Sequence, residues 1–429
     1  MTVHAPGVVE VVDGRIAHVG PVPEPGALPE PPEGLESPEG PTHRLGGLLM
    51  PGLVNAHAHT PMTLVRGAGD GLALQRWLTE AMWPREGRMT PDDVWWGMAL
   101  GSAEMLAAGV TTSCEMYLFE DAVADAVAVT GGRLVMTPGV LSVLHGDAFG
   151  SDGDRLDALA AFHQANHDPS GRLTVGIAPH SAYDLGVGMV ARLADLARSL
   201  DTVLHVHVAE TRDESAALEA EYGRSIVRIL ADHDVLGGRV LFAHAVWTDD
   251  DDIATMAEAG VAVAHCPVSN MKLGSGVAPL VRMLEAGVTV GLGTDGPASN
   301  DTLDLWEEVK VAPLLARVDA LDPTVLPAAE VLAMATRGGA TAVGLDDVGR
   351  LEVGAAADFI RVDLDRPSFT PVTEPAELLA HLVWAGTDRS VTDVWVAGQR
   401  VVEAGVVQTL DVDRARAEVQ QRALRLAAG

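Results

Sequence analysis

The stretch VNAHAHTPMTLVRG, residues 54–67, decides how this chain is read. It closes the apolar run LLMPGLVNA with two histidines one residue apart, His57 and His59, and Thr60-Pro61 then ends the strand. Side chains at i and i+2 leave a strand on the same face, so both imidazoles point to one side. Such a pair is either a polar loop entry or half of a metal site, and the rest of the chain has to supply the other half.

Outward from this stretch the pattern repeats. VTTSCEM, RLVMTPGV, LTVGIAPH, TVLHVHV, RVLFAHA, VAVAHC and VTVGLGTD read as buried parallel strands. Amphipathic segments separate them, among them PDDVWWGMALGSAEMLAAG, DRLDALAAFHQAN, VGMVARLADLARSL, DDIATMAEAG and APLVRMLEAG. Eight strand–helix units predict an α/β fold, a (β/α)8 TIM barrel over residues 51–349; their even spacing favours closure over an open doubly wound sheet. Both flanks are β-rich. VVEVVDGRIAHVG is a hairpin signal around Asp13-Gly14, and RLEVGAAADFIRVDL and VTDVWVAGQRVVEAGVV read as strands, the latter turning at Gly398. Residues 1–50 and 350–409 are therefore expected to form one small β-sandwich domain from the two chain ends. Residues 410–429 read as a terminal helix, and PVPEPGALPEPPEGLESPEGP, residues 21–41, as an exposed, irregular connection.

Composition narrows the function. The formal charge of −31 argues against a nucleic-acid partner, which needs basic patches. No apolar stretch of about 18 residues is present, so no membrane span is expected. The N-terminus has no basic head with an apolar core behind it, so no secretory leader is expected. Two distant cysteines, Cys114 and Cys266, make no disulfide framework and suggest a reducing, cytoplasmic setting.

In a TIM barrel, reactive groups gather at the C-terminal ends of the strands. Here the first strand ends in His57-Ala58-His59, the fourth in His180, the fifth in His207 with Glu210 three residues on, the sixth in His244 and the eighth in Asp295. One strand-end histidine is ordinarily structural; five strand ends in register converge on one mouth. His205 shares the i, i+2 spacing with His207. The latter, nearer the strand end, is the expected ligand, with His205 one layer lower as packing or support. His265 is either part of the site wall or a satisfied core histidine. Three imidazoles and a carboxylate suit Zn²⁺ or Fe²⁺, which lowers the pKa of bound water towards neutrality. Glu210 and His244 would then serve proton transfer and electrostatic support, and Asp295 can both ligate and accept a proton.

The motifs PGLVNAHAHTPMTLVRG, HVAE, FAHA, HCPVSNMKLGSGVAP and GLGTDGPASND resemble the amidohydrolase superfamily. Within it they look like the cytosine-deaminase and chlorohydrolase branch, nearest the 5′-methylthioadenosine/S-adenosylhomocysteine deaminases. The resemblance implies a metal held by His57, His59, His207 and Asp295, with zinc ahead of iron. It makes Glu210 the proton shuttle and His244 the residue that orients the attacking water. Trp77 and Glu86 would line the pocket, Glu86 accepting hydrogen bonds from ribose hydroxyls, and His180 would contact the purine. Binuclear relatives need a bridging lysine on a middle strand. Lys272 and Lys310 are the only lysines and neither ends one, so a single metal is expected. The implied reaction is attack of activated water at C6 of an adenine ring, protonation of N1 by Glu210 and loss of ammonia, giving the inosine analogue. Of two arginines that would grip a homocysteine carboxylate, one position is Pro138 and the other is Arg155. Methylthioadenosine, adenosine and other 5′-modified adenosines are thus expected alongside S-adenosylhomocysteine. The alternative is an aminohydrolase or chlorohydrolase acting on a free base, a guanine-like purine or an s-triazine, which would not need Glu86. A non-catalytic nucleoside binder is the third reading, and the intact ligand and acid–base set argues against it. A homo-oligomer, dimer or tetramer, is expected. Glu115 stands where the family has aspartate, and the loop at 145–155 looks longer; neither is assigned a role.

Overall fold

The computed structural model describes residues 2–22, 42–142 and 152–428. Nearly all of the proline-rich connection, and most of the loop at 145–155, lie outside the described residues. Asp13 and Gly14 both take positive φ, 49° and 77°, and turn β1 (Gly7–Val12) into β2 (Arg15–Pro21). This is the twist-matched hairpin that the Asp-Gly pair predicts. The run LLMPGLVNA, read as one strand, is two: β3 (Leu48–Pro51) and β4 (Leu53–Ala58), which belong to different sheets. Gly52 makes the switch. A Cβ there would lie 2.1 Å from Thr111 Oγ1, so a side chain has no room where the chain crosses between sheets.

β4 opens the barrel. It is followed by β5 (Val110–Tyr117), β6 (Arg133–Val140), β7 (Leu173–Val175), β8 (Ala178–Pro179), β9 (Val203–Val208), β10 (Arg239–His244), β11 (Ala262–His265) and β12 (Thr289–Leu292). All pair in parallel, in two arcs, β4-β5-β6-β7 and β9-β10-β11-β12. The fourth strand, LTVGIAPH, is broken into β7 and β8, both lying on β6. The break falls at Gly176, where a Cβ would come within 2.7 Å of Val203 and 2.8 Å of Thr137. Bridges Ile177–Leu204 and Ser181–His207 close one seam, and Ala58–Asp295 closes the other. The closing hydrogen bonds run from the backbone N–H of His207 to the His180 carbonyl, 3.0 Å, and from that of Asp295 to the His57 carbonyl, 3.0 Å. Barrel closure and the candidate site thus share residues.

The chain ends add an antiparallel sheet of β3 with β13 (Phe359–Val362), β14 (Val391–Val396), β15 (Gln399–Glu403) and β16 (Val406–Val407), in the order β16-β15-β14-β13-β3. One face packs Phe359 against Ile16 of the hairpin; from the other, Ile360, Val394 and Val402 join the main core. RLEVGAAADFIRVDL is a strand only at its end. Gly354 turns with φ 87° and donates to the Ile16 carbonyl, so 350–358 wraps the hairpin instead. The helix Pro91–Ala107 starts at a capping box of Thr90 and Asp93, and the terminal helix Val412–Ala428 is tied to it by Arg425–Asp93 at 2.5 Å and by Arg422–Asp92. APLVRMLEAG yields only the short helix Leu280–Glu285, ended at Ala286 before Gly287 with φ 83°. No helix among the described residues is long and apolar enough to cross a membrane.

Candidate metal centre and active site

Three strand ends carry the same backbone feature. Ala209, His244 and Asp295, none of them glycine, take positive φ of 52°, 73° and 60°. Such conformations cost about 1–3 kcal/mol each and persist where the surroundings over-determine them, as at functional sites. Here they turn the chain sharply at the mouth beside β9, β10 and β12.

His57, His59, His207 and Asp295 each offer one ligand atom, and these atoms lie within 4.8 Å of one another. The hydrogen-bond network assigns the tautomers. His59 Nδ1–H donates to the Met116 carbonyl at 2.6 Å, and His207 Nδ1–H to the His180 carbonyl at 2.9 Å. A carbonyl only accepts, so both Nε2 atoms carry lone pairs. They nevertheless face each other at 3.2 Å. His57 Nε2 is buried with no hydrogen-bond partner among the described residues, 3.3 Å from Asp295 Oδ1, and His59 Nε2 lies at the same distance from that oxygen. Bare lone pairs and a carboxylate oxygen converge in this way around a cation, so the donor set fits a divalent metal ion. Burial holds His57 down to about 3 and His207 well below its ordinary value, so both are neutral, as ligands must be. Asp295 Oδ2 accepts from Ser269 Oγ at 2.6 Å and Ser299 Oγ at 2.8 Å, which leaves Oδ1 for the donor set. Burial opposes the ionisation of Asp295, yet its carboxyl stays well below the usual carboxylate range, so Oδ1 is offered as an anion.

The other expected residues surround a cleft at the barrel mouth, whose empty space is about 660 Å³ with the open solvent at its entrance included. His59, His207, Glu210, His244 and Asp295 line it, and so do Trp77, Glu86 and His180. Burial, with the Asp295 charge beside it, pushes Glu210 up to about 8, so this carboxyl holds its proton at neutral pH. His244 Nδ1 bonds to Asn270 Oδ1 at 2.9 Å, which aims Nε2 away from that partner. Glu86 is buried and accepts from the Tyr117 hydroxyl at 2.9 Å. Trp77 donates from its indole to the Ala68 carbonyl. Arg155 is placed elsewhere: it is buried, 3.6 Å from Glu120 and 3.3 Å from the Gly139 carbonyl, and does not line the cleft. His265 is buried at the end of β11, outside both the donor set and the cleft lining. Lys272 binds Asp301 and the Ala298 carbonyl.

Several supporting residues carried no role from sequence alone. Glu115 accepts from the Thr60 backbone N–H at 2.9 Å and the Thr60 hydroxyl at 2.6 Å, pinning the turn directly after His59. Asn270 and Ser269 lie in the motif HCPVSNMKLGSGVAP, whose polar residues were the available signal.

The amidohydrolase family model matches residues 48–401. A 5-methylthioadenosine/S-adenosylhomocysteine deaminase of Pelotomaculum thermopropionicum is 43% identical over 381 residues, covering 89% of this chain and 86% of that protein. A 5'-deoxyadenosine deaminase of Methanosarcina mazei is 39% identical over 383 residues, covering 89% and 87%. Among solved structures, a zinc-bound adenosine deaminase from Xanthomonas campestris superposes with a TM-score of 0.91 at 34% identity, covering 99% of this chain and 94% of that one. With a converging donor set at the mouth of a closed barrel and a family match over most of its length, this chain belongs to the amidohydrolase family.

Proposed function

We propose that the protein hydrolytically deaminates an adenine nucleoside to its inosine analogue and ammonia, using one divalent ion, zinc before iron, held by His57, His59, His207 and Asp295. The observation that carries this reading is a buried carboxyl, Glu210, still protonated near neutral pH and lining the same cleft as the donor set. When bound, such an ion acidifies water and so supplies the nucleophile at neutral pH. The chain's own residues do the rest. Glu210 gives its proton to N1 of the ring, which draws electrons from C6; it then collects the hydroxyl proton of the tetrahedral carbon and passes it to the departing amine, and the water proton taken up by Asp295 finally restores Glu210. Asp295 Oδ1 takes the proton from water while Ser269 and Ser299 hold Oδ2. His244, steadied by Asn270, directs the attack. Glu86 accepts from a ribose hydroxyl while Tyr117 satisfies its other side.

The 5′ group is inferred from charge. Among the described residues that line the cleft, none is lysine or arginine, whereas Glu86, Glu210 and Asp295 are acidic. Burying an unpaired substrate carboxylate there is costly. We therefore infer a preference for neutral 5′ groups, as in 5′-deoxyadenosine, methylthioadenosine or adenosine, over S-adenosylhomocysteine. The test is ammonia release from these four nucleosides, guanine and an s-triazine. The expected result is kcat/KM at least about tenfold higher for a neutral 5′ group than for S-adenosylhomocysteine, roughly the worth of one charged contact. Glu86→Ala should raise KM for nucleosides by a similar factor. Turnover of guanine or triazine without any nucleoside, or an indifferent Glu86→Ala, would overturn the reading.

A further inference from the structure

His205 lies two residues before the ligand position His207, is fully buried and does not line the cleft. Its two ring nitrogens nevertheless connect the donor set to a backbone carbonyl on β5. The chain of contacts can be read one hydrogen at a time. The Glu115 carbonyl can only accept, and Thr137 Oγ1 lies 2.8 Å from it, so the threonine's single hydrogen goes there. Thr137 Oγ1 then has only lone pairs for His205 Nδ1, 3.0 Å away, so Nδ1 of His205 carries the hydrogen. The other neighbour of that nitrogen, Cys114 Sγ at 3.6 Å, is a weak partner whose buried thiol stays protonated. His205 Nε2 is therefore an acceptor, and its partner at 2.9 Å, His57 Nδ1, must donate. The final consequence falls on His57 Nε2, which is left bare, buried and, among the described residues, unpartnered beside Asp295 Oδ1.

We propose that His205 and Thr137 are positioning residues which, acting in series from the Glu115 carbonyl, fix the His57 tautomer that leaves Nε2 free to ligate the metal. The opposite polarity satisfies His205 and His57 equally well, but it places a hydrogen on His57 Nε2, aimed into the donor set. The two polarities differ at both ends: at the Glu115 carbonyl, which Thr137 satisfies only in the first, and at His57 Nε2, which only the first leaves free for a metal, so the Thr137 hydroxyl on β6 couples that carbonyl to the ligand presented. His59 and His207 need no such relay, because each Nδ1 meets a backbone carbonyl directly. This inference rests on the metal reading above. Partners that orient ligand imidazoles are typically worth about 10–100-fold in metal affinity.

The test is the zinc dissociation constant of the full-length protein, measured by competition with a chromogenic chelator, alongside the melting temperature of the zinc-free form. Thr137→Val, which keeps the volume and removes the hydroxyl, is expected to weaken zinc binding about 10–100-fold, and His205→Phe at least as much. Thr137→Ser restores the hydroxyl and is expected to stay within about threefold of wild type, well short of that loss. A purely packing role predicts a lower zinc-free melting temperature with unchanged affinity in the folded protein; that result overturns the relay. A second arm needs no substitution. Ring-nitrogen NMR of the zinc-free wild type, labelled at histidine, should find the His57 hydrogen on Nδ1; finding it on Nε2 overturns the proposal even if the variants fail to fold. If wild-type protein takes up no zinc in the same titration, the metal reading itself falls and the relay with it.

Discussion

Glu210 shares the buried cleft with the Asp295 carboxylate, and burial and that neighbouring charge push its pKa the same way, up to about 8. A group that keeps its proton there can deliver it to a ring nitrogen; its amide isostere cannot. Glu210→Gln is expected to lower kcat/KM by about 10²–10⁴ while zinc content and melting temperature stay near wild type, as checked by steady-state kinetics, metal analysis and calorimetry. A comparable loss of zinc would instead make Glu210 a structural support of the site. At this scale the sequence was informative where one residue's position along a strand decides its direction. It was silent on Glu115, whose carboxylate reaches Thr60 across two strands, and on Arg155, whose partner Glu120 stands on a different helix.

The elements that hold the site meet at glycine. The helix Pro91–Ala107 approaches the segment after His59 so closely that a Cβ on Gly101 would lie 2.3 Å from Thr60 Cγ2 and 3.0 Å from Leu303 Cδ1. In an open helix, Gly→Ala gains up to about 1 kcal/mol from propensity. Here overpacking of about 1–3 kcal/mol outweighs that gain. Because Thr60 is fixed by Glu115, the displacement has little outlet except towards His59. Gly101→Ala is therefore expected to lower the melting temperature and weaken zinc binding together. Gly188→Ala, in the helix Val187–Ser199 with nothing among the described residues within 4 Å of the added Cβ, should leave both unchanged or raise the melting temperature. Equal behaviour of the two variants would refute the steric account.

For the whole molecule, buried titratable groups set the pH dependence of the metal-free fold. Burial, as the leading cause, holds His57 down to about 3 and His180 and His265 to about 4, against an ordinary 6.5. Below pH 6.5 the unfolded chain binds protons these rings refuse, so stability falls with acidification. Burial likewise raises Glu210 and Glu308 to about 8 and Glu214 to about 7, from 4.5. Between 4.5 and those values the folded state keeps protons that the unfolded state has released, so stability falls as pH rises. The two trends oppose each other from 4.5 to 6.5, and only the carboxyls act above that. The zinc-free protein is expected to lose melting temperature steadily from pH 6.5 to 8. Glu308 accepts from the Val268 N–H and Asn300 Nδ2 and does not line the cleft. Glu308→Gln should flatten this alkaline slope by at most about 1.4 kcal/mol per pH unit. A wild-type melting temperature that does not fall over this range would refute the assignment.

The sequence by itself determined the alternation of strands and helices, the hairpin at Asp13-Gly14 and the five strand ends that converge on one mouth. These follow from local rules, since the period of a strand and the position of its last residue already say where a side chain points. Only the tertiary structure decided that LLMPGLVNA divides at Gly52, that the seam brings Asp295 against His57, and that Thr137 reaches His57 through His205. Each depends on barrel closure and register, which bring together groups far apart in the chain, and no local pattern encodes which lone pair will face which hydrogen across a closed sheet.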